Sequence, residues 1–366
     1  MNRSEGITMI ALIVTIIVLI ILAGVSIGMI VGDNGIIERA LQARGENANA
    51  TQDELEKMNR LEEEYTNIVN DITTSEKRIK DAKKSGEEFK ENTKLKDEVG
   101  NVVTIPGGFH VAKDSGIYVE EGVVIEDGKN NQFVWIPVKD YQTTNGVKTN
   151  NLARRIFYVD KEAEEVGINE EIATYYGEEN VNSIANKTID AFKVSANVNG
   201  GFYLGRYEQG ENNVCKAEAN AYTNVTRDEA FKQASAMFNE NEFVTSELVS
   251  SYAWDTALNF ICQNREESYL LAATTDKKYG NIGTNKKERT GDYAADNYCN
   301  IHDMVGNCEE WTTEYFARSG ATCVDRGGFC NGTTDFAAER DGTSTTTKNE
   351  TCSFRVQLYI KEESNS

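Results

Sequence analysis

Asp303-Met304-Val305-Gly306-Asn307-Cys308-Glu309-Glu310-Trp311-Thr312 is the stretch on which the reading of this chain turns. Gly306-Asn307 allows a tight turn, because both residue types enter the left-handed region at small steric cost. Trp311 brings a large apolar face and reads as core. Downstream stand Arg326-Gly327-Gly328-Phe329, then Ala338-Glu339-Arg340, then Ser353-Phe354-Arg355-Val356. Gly327-Gly328 permits close backbone approach, and Phe354 reads as core beside Trp311. Arg355 is expected to be a buried ion-pair partner for an acid of the 303–310 loop.

Upstream, Val102-Val103-Thr104-Ile105, Gly116-Ile117-Tyr118-Val119 and Gln132-Phe133-Val134-Trp135-Ile136-Pro137-Val138 are short apolar runs bounded by Gly, Asn and Asp, the pattern of strands. Gly201 to Glu208 reads as another strand. Thr226-Arg227-Asp228-Glu229 opens a helix, with Thr226 as cap and Glu229 at its third position. A further helix is expected from about Ser251 to Asn264. Residues 143–198 are polar and read as an irregular insertion. No internal repeat is visible, and the mixture is α+β.

The order of the 303–356 motifs resembles the formylglycine-generating enzyme, or sulfatase-modifying-factor, domain, a member of the wider C-type lectin-like fold. The resemblance covers residues 96 to 360, including the Phe133–Val138 and Gly201–Glu208 strands. It implies a calcium site in which Asn307 and Glu310 supply side-chain oxygens and Val305 and Cys308 supply carbonyls. Hard oxygen ligands in a bent loop suit that ion. A turn using the same hydrogen bonds without metal is the competing reading. Glu309 stands where the family has Trp. The family's oxidases bind copper with a cysteine pair after the late Gly-Gly, and here that window holds Cys330 alone, with the next cysteine at Cys352. No copper is therefore expected; iron-binding relatives of ergothioneine type use histidines, of which this chain has too few, so no iron is expected either, and the head is read as non-catalytic. The polar run between Gly328 and Phe354 also resembles the variable region of retroelement-diversified lectin-fold proteins. That implies an exposed ligand face at Phe329, Asn331, Thr333, Asp335 and Glu339, for a glycan or protein ligand.

Charge narrows the function classes. The 366 residues include 59 acids against 38 bases, a formal net charge of −21. Nucleic-acid binding needs clustered Lys and Arg, so it is excluded; attraction of divalent cations is favoured. Two histidines, His110 and His302, are too few for multi-histidine metal sites or histidine relays. The seven cysteines all follow position 200 and show no CxxC spacing, so their pairing is open.

Ile7 to Val31 runs without a charge. At about 1.5 Å per residue it would cross a hydrocarbon core of roughly 30 Å. With Arg3 before it and Asp33 after, the bulk of the chain is expected outside a bacterial cell membrane. Ser4-Glu5-Gly6-Ile7-Thr8 resembles a type IV prepilin leader, which implies cleavage after Gly6 by a prepilin peptidase and methylation of Ile7. Ala11 departs from that family's glutamate, which puts filament assembly in doubt; a plain anchor is the other reading. Leu55, Met58, Leu61, Tyr65, Ile68 and Ile72 recur at helical spacing and suggest a charged stalk able to self-associate. The expected fold class is thus α+β, a single N-terminal transmembrane, pilin-like helix plus a C-type lectin-like head. Its domains are 1–31 leader and helix, 32–95 stalk and 96–366 head. The expected function is a membrane-anchored, surface-exposed, non-catalytic ligand-binding protein of adhesin or display type. The alternatives are a minor pilin or pseudopilin subunit and, third, an oxidase.

Overall fold

The computed structural model describes residue 19 and residues 77–157, 164–166, 181–264, 279–315, 323–332, 336–344 and 346–361, with backbone alone at 164–166, 181–188 and 315. The chain divides into Met1–Ser75 and Glu76–Ser366, and every element named below lies in the second unit. That unit begins before the change of texture at residue 96. Its first elements are α1 (Ile79–Ser85), β1 (Thr93–Lys96) and β2 (Val102–Ile105).

There follow β3 (Phe109–Val111), β4 (Val124–Asp127), β5 (Gln132–Pro137), the hairpin β6 (Lys139–Thr143) and β7 (Gly146–Asn150), β8 (Arg154–Ile156), β9 (Glu164–Val166), α2 (Val181–Asn199) and β10 (Gly201–Gly205). The second half holds α3 (Arg227–Ala236), β11 (Val244–Leu248), α4 (Ser251–Asn264), β12 (Glu309–Tyr315), β13 (Cys323–Arg326), β14 (Asp341–Thr343), β15 (Cys352–Phe354) and β16 (Val356–Ile360). The main sheet has the order β11-β16-β10-β5-β4-β3 and is antiparallel throughout. A second sheet has the order β14-β13-β12-β15, with β12 and β15 parallel.

Every residue of β10 and of β16 is buried. Strands covered on both faces have no reason to alternate polar and apolar residues, which explains their continuous texture. Trp135, Trp254 and Trp311 are among the largest fully buried side chains. Burying an indole requires a partner for its N–H. Trp254 donates to the Ala337 carbonyl at 2.9 Å and Trp311 to that of Val225 at 3.0 Å. These two bonds tie α4 to the loop before Arg340 and β12 to the loop that leads into the helix starting at Arg227.

α3 starts as its sequence predicts. The Thr226 hydroxyl accepts from the Glu229 amide at 3.2 Å, and the Glu229 carboxylate accepts from the Thr226 amide at 2.9 Å. Replacing Thr226 with alanine should lower stability by about 1 kcal/mol, read as a shift in the urea midpoint at unchanged slope.

Two expectations are corrected. The 143–198 region is not an irregular insertion throughout, since it contributes the β6–β7 hairpin and the 19-residue α2. The fold class is corrected as well. The described residues are mostly sheet with four helices, and among them no helix is long and apolar enough to cross a membrane. α2 has the length but carries Asn182, Asn186, Lys187, Asp190 and Lys193, which a bilayer would not accept. A single transmembrane helix is therefore not supported. Residues 7–31 (apart from Leu19), the Gly6-Ile7 processing pair and the stalk helix over 55–72 lie outside the described residues.

Candidate functional site

The 301–311 segment is shaped by backbone that only a few residue types enter easily. Asp303, Gly306 and Asn307 have φ of 58°, 77° and 61°. A Cβ on Gly306 would meet the Asn281 carbonyl oxygen at 2.4 Å, so the turn both needs positive φ and leaves no room for a side chain. Asn307 is fully buried and its amide is saturated. Nδ2 donates to Glu208 Oε2 at 2.7 Å, while Oδ1 accepts from Asn281 Nδ2 and the Glu288 amide, both at 2.9 Å. The other Glu208 oxygen accepts from the Cys308 amide at 2.8 Å.

Arg355 meets Glu310 as the sequence suggests. Its Nη2 and Nε donate to the two Glu310 oxygens at 2.6 and 3.0 Å, and both residues are fully buried. Nη1 and Nη2 also reach the carbonyls of Gly205 and His302, each at 2.8 Å. The guanidinium thus joins the main sheet to the 301–311 loop. The four residues assigned to calcium are neighbours in the chain, but the oxygens assigned on Glu310, Asn307 and Val305 have internal partners. Both Glu310 oxygens face Arg355, Asn307 Oδ1 takes two donors, and the Val305 carbonyl accepts from Asn281 at 3.1 Å. This is the geometry of a turn closed by hydrogen bonds.

A second buried charge cluster lies under the Gly-Gly strand. Asp255 from α4 and Glu314 from β12 are held by Arg154, Arg326 and Arg340. Arg326 donates to Asp255 at 2.7 Å and Arg340 Nε to Glu314 at 3.0 Å. Arg340 thereby pins the end of the loop that begins at Gly327, where φ is 92°. Burial and neighbouring charge move several groups near these clusters. Glu208 is pushed well up by burial, then by Asp303 and Glu310. His302 is lowered to about 4 by burial and the Arg206 and Arg355 cations, so its ring is neutral at pH 7.

Three acidic residues gather beside β13. Trp311 pairs across to Asp325, and Asp325 pairs across to Asp341. Glu309 shares the Trp311 face of β12 by the two-residue period of a strand. The register therefore brings carboxylate oxygens of Glu309, Asp325 and Asp341 within 4.8 Å of one another. Asp325 is only 3% exposed, and its carboxyl is pushed well above the usual range, first by burial and then by Glu309 and Asp341. A cleft of about 90 Å³ opens here and extends to Phe329 and Glu339. Of the expected ligand face, Phe329 and Glu339 line this cleft half-buried and Asn331 is exposed, while Thr333 and Asp335 lie outside the described residues. A wider depression of about 320 Å³, lined by residues such as Glu211, Val214 and Lys216, shares no residue with it. Sequence reading missed Asp325 and Asp341 because nothing local announces a strand register. It also missed Glu208, Asp255 and Glu314 as the anions of the two buried clusters.

No protein-family model matches the chain, and the comparison with curated proteins found no match. Among solved structures the chain is similar to one titled Crystal Structure of CarF, at 14% identity and a TM-score of 0.36, covering 62% of this chain and 98% of that one. It is also similar to Treponema denticola variable protein 1, at 12% identity and a TM-score of 0.33, covering 62% and 95% of the two chains.

Proposed function

We propose that the second unit is a non-catalytic ligand-binding head, and that the cleft beside β13 receives a cationic group. The observation that carries this reading is the convergence of Glu309, Asp325 and Asp341, with Asp325 almost fully buried. Carboxylates crowded in a poorly solvated place repel one another, so a positive charge entering among them is stabilised. Phe329 also lines the cleft, half-buried. Gly327, Arg326 and Arg340 fix the frame beside Phe329 and Glu339. Side chains on loops held by a packed sheet suit recognition. It agrees with the resemblance of residues 303–355 to formylglycine-enzyme and C-type lectin-like heads, without the oxidase chemistry of the former.

The test is retention of the protein on immobilised lysine-rich peptides, acidic peptides and neutral glycans, each with calcium and with EDTA. Retention on the basic peptides in EDTA, weakened at least tenfold by Asp325→Asn and less by Phe329→Ala, is expected. Equal retention of wild type and Asp325→Asn would sink the proposal. Retention on neutral glycans that requires calcium would replace the ligand amine with a bound ion.

A further inference from the structure

The acidic cleft opens beside the last strand of the second sheet. Among the described residues β13 lies on one side of β14, and no strand pairs with the other. The register shows which peptide groups face that open edge. Val324 on β13 stands opposite Gly342. The Val324 carbonyl is turned the other way, accepting from the Thr312 hydroxyl on β12 at 2.9 Å. In an antiparallel pair, opposed residues alternate between exchanging both backbone bonds and exchanging neither. Val324 and Gly342 therefore exchange none, and the Gly342 N–H and C=O point away from the sheet. The Gly342 amide agrees with this, because its acceptor is the neighbouring Asp341 Oδ1 at 2.7 Å, in an exposed position, and not a strand carbonyl. An edge with groups left this way is a template for another extended chain.

The side chains at this edge set what such a chain carries. One row across the sheet reads Phe354, Trp311, Asp325, Asp341. It runs from fully buried aromatic rings to an exposed acid. A residue on a fifth strand opposite Asp341 continues that row on the same face, with its Cβ about 4.5–5.5 Å from that of Asp341. A Lys or Arg in that place reaches Asp341 and, behind it, Asp325 and Glu309, whose carboxylate oxygens lie within 4.8 Å of one another and of Asp341. The residue before it meets Gly342 and exchanges both backbone bonds with it. Its carbonyl takes over the Gly342 N–H, which returns Asp341 Oδ1 to the incoming cation.

We infer that the ligand of the cleft is an extended basic peptide segment, which pairs antiparallel with β14 as a fifth strand and sets a Lys or Arg among Glu309, Asp325 and Asp341. This rests on the reading of the cleft as a cation-receiving site and adds what carries the cation. Main-chain bonds to the edge supply affinity, and the pocket beside it selects the side chain.

The experiment is calorimetric titration of the full chain in EDTA with the peptide acetyl-threonyl-valyl-lysyl-valyl-threonine amide and with lysine capped at both ends. The peptide is expected to bind roughly tenfold tighter or more, the effect of two added hydrogen bonds. N-methylating the first valine, whose N–H faces Gly342, should remove that gain. N-methylating the lysine, whose N–H faces away, should keep it. Gly342→Pro, tolerated at the open side of an edge strand, should lose the gain while still binding capped lysine; Asp325→Asn should weaken both ligands. Equal affinity for peptide and capped lysine, equal loss from the two methylations, or equal binding of the peptide with norleucine in place of lysine would overturn the inference and leave or remove the cleft reading according to whether capped lysine binds. Binding of neither ligand would overturn both.

Discussion

Arg355→Met is expected to lower the unfolding free energy by about 3–5 kcal/mol, the usual effect of removing one partner from a buried ion pair. The side-chain volume is nearly kept, so the loss is electrostatic rather than a cavity. Without the guanidinium, Glu310 loses both of its donors while remaining fully buried, and the carbonyls of Gly205 and His302 each lose one. Glu208 and Asp303 also lose the positive charge that offsets their own burial. At the slope usual for a domain of a few hundred residues, Tm should fall by roughly 10 °C. Adding Glu310→Met to this variant should recover part of the loss, because a paired apolar replacement leaves no orphaned charge at that position. Recovery should be incomplete, since Glu208 and Asp303 remain. The measurement is urea unfolding of the two variants beside wild type. A loss under about 1 kcal/mol for Arg355→Met would mean the pair is not the central tie of this fold.

The residues that were legible in sequence are those whose partners lie close along the chain or whose chemistry leaves one option. Thr226 and Glu229 satisfy each other three positions apart, so the start of α3 is written locally. α4 spans Ser251–Asn264 as expected, because an apolar run with Trp254, Leu258 and Ile261 needs burial and has no breaker inside. Arg355 had to find an acid, and the 303–310 loop was rich in them. Gly306, Asn307, Gly327 and Gly328 all have positive φ, as their residue types suggested. What stayed hidden depends on long-range register. Asp325 and Asp341 become neighbours only when β13 pairs with β14, and Glu309 joins them only through β12. Glu208 is about a hundred positions from the Asn307 it holds, and no periodicity marks such a contact. α2 was missed because its polar residues mask a weak apolar stripe, of which Ile189, Phe192 and Ala196 are buried against the sheet. The resemblance to calcium-binding heads drew attention to the 305–310 loop but could not show the internal partners that the Asn307 and Glu310 oxygens take.

Glu247→Gln is expected to stabilise the protein in alkaline buffer and to leave it unchanged in acid. Glu247 lies on β11, 5% exposed; its oxygens accept from the Tyr359 hydroxyl at 3.0 Å and from Gln357 Nε2 at 3.4 Å. Burial pushes its carboxyl from 4.5 to about 7, with those two hydrogen bonds pulling weakly the other way. The folded state therefore keeps this proton where the unfolded chain has released it. Below pH 4.5 both states hold the proton, and the contribution to stability is fully present. Between 4.5 and 7 only the unfolded chain releases it, and the contribution drains away. Above 7 both are ionised, and the folded state carries a buried charge. The difference between the two ionisations corresponds to about 3 kcal/mol. Glutamine keeps an oxygen acceptor for Tyr359 and has no charge to bury. Other groups titrate in the same range, but they do so in both proteins, so the difference between variant and wild type isolates this one. Urea unfolding at pH 4 and pH 8 should give a gap near zero in the first and up to about 3 kcal/mol in favour of Glu247→Gln in the second. Equal gaps at both values would show that Glu247 titrates alike in the folded and unfolded chain, and that burial beside the Ser250–Gln357 hydrogen bonds at the entry to α4 does not hold its proton.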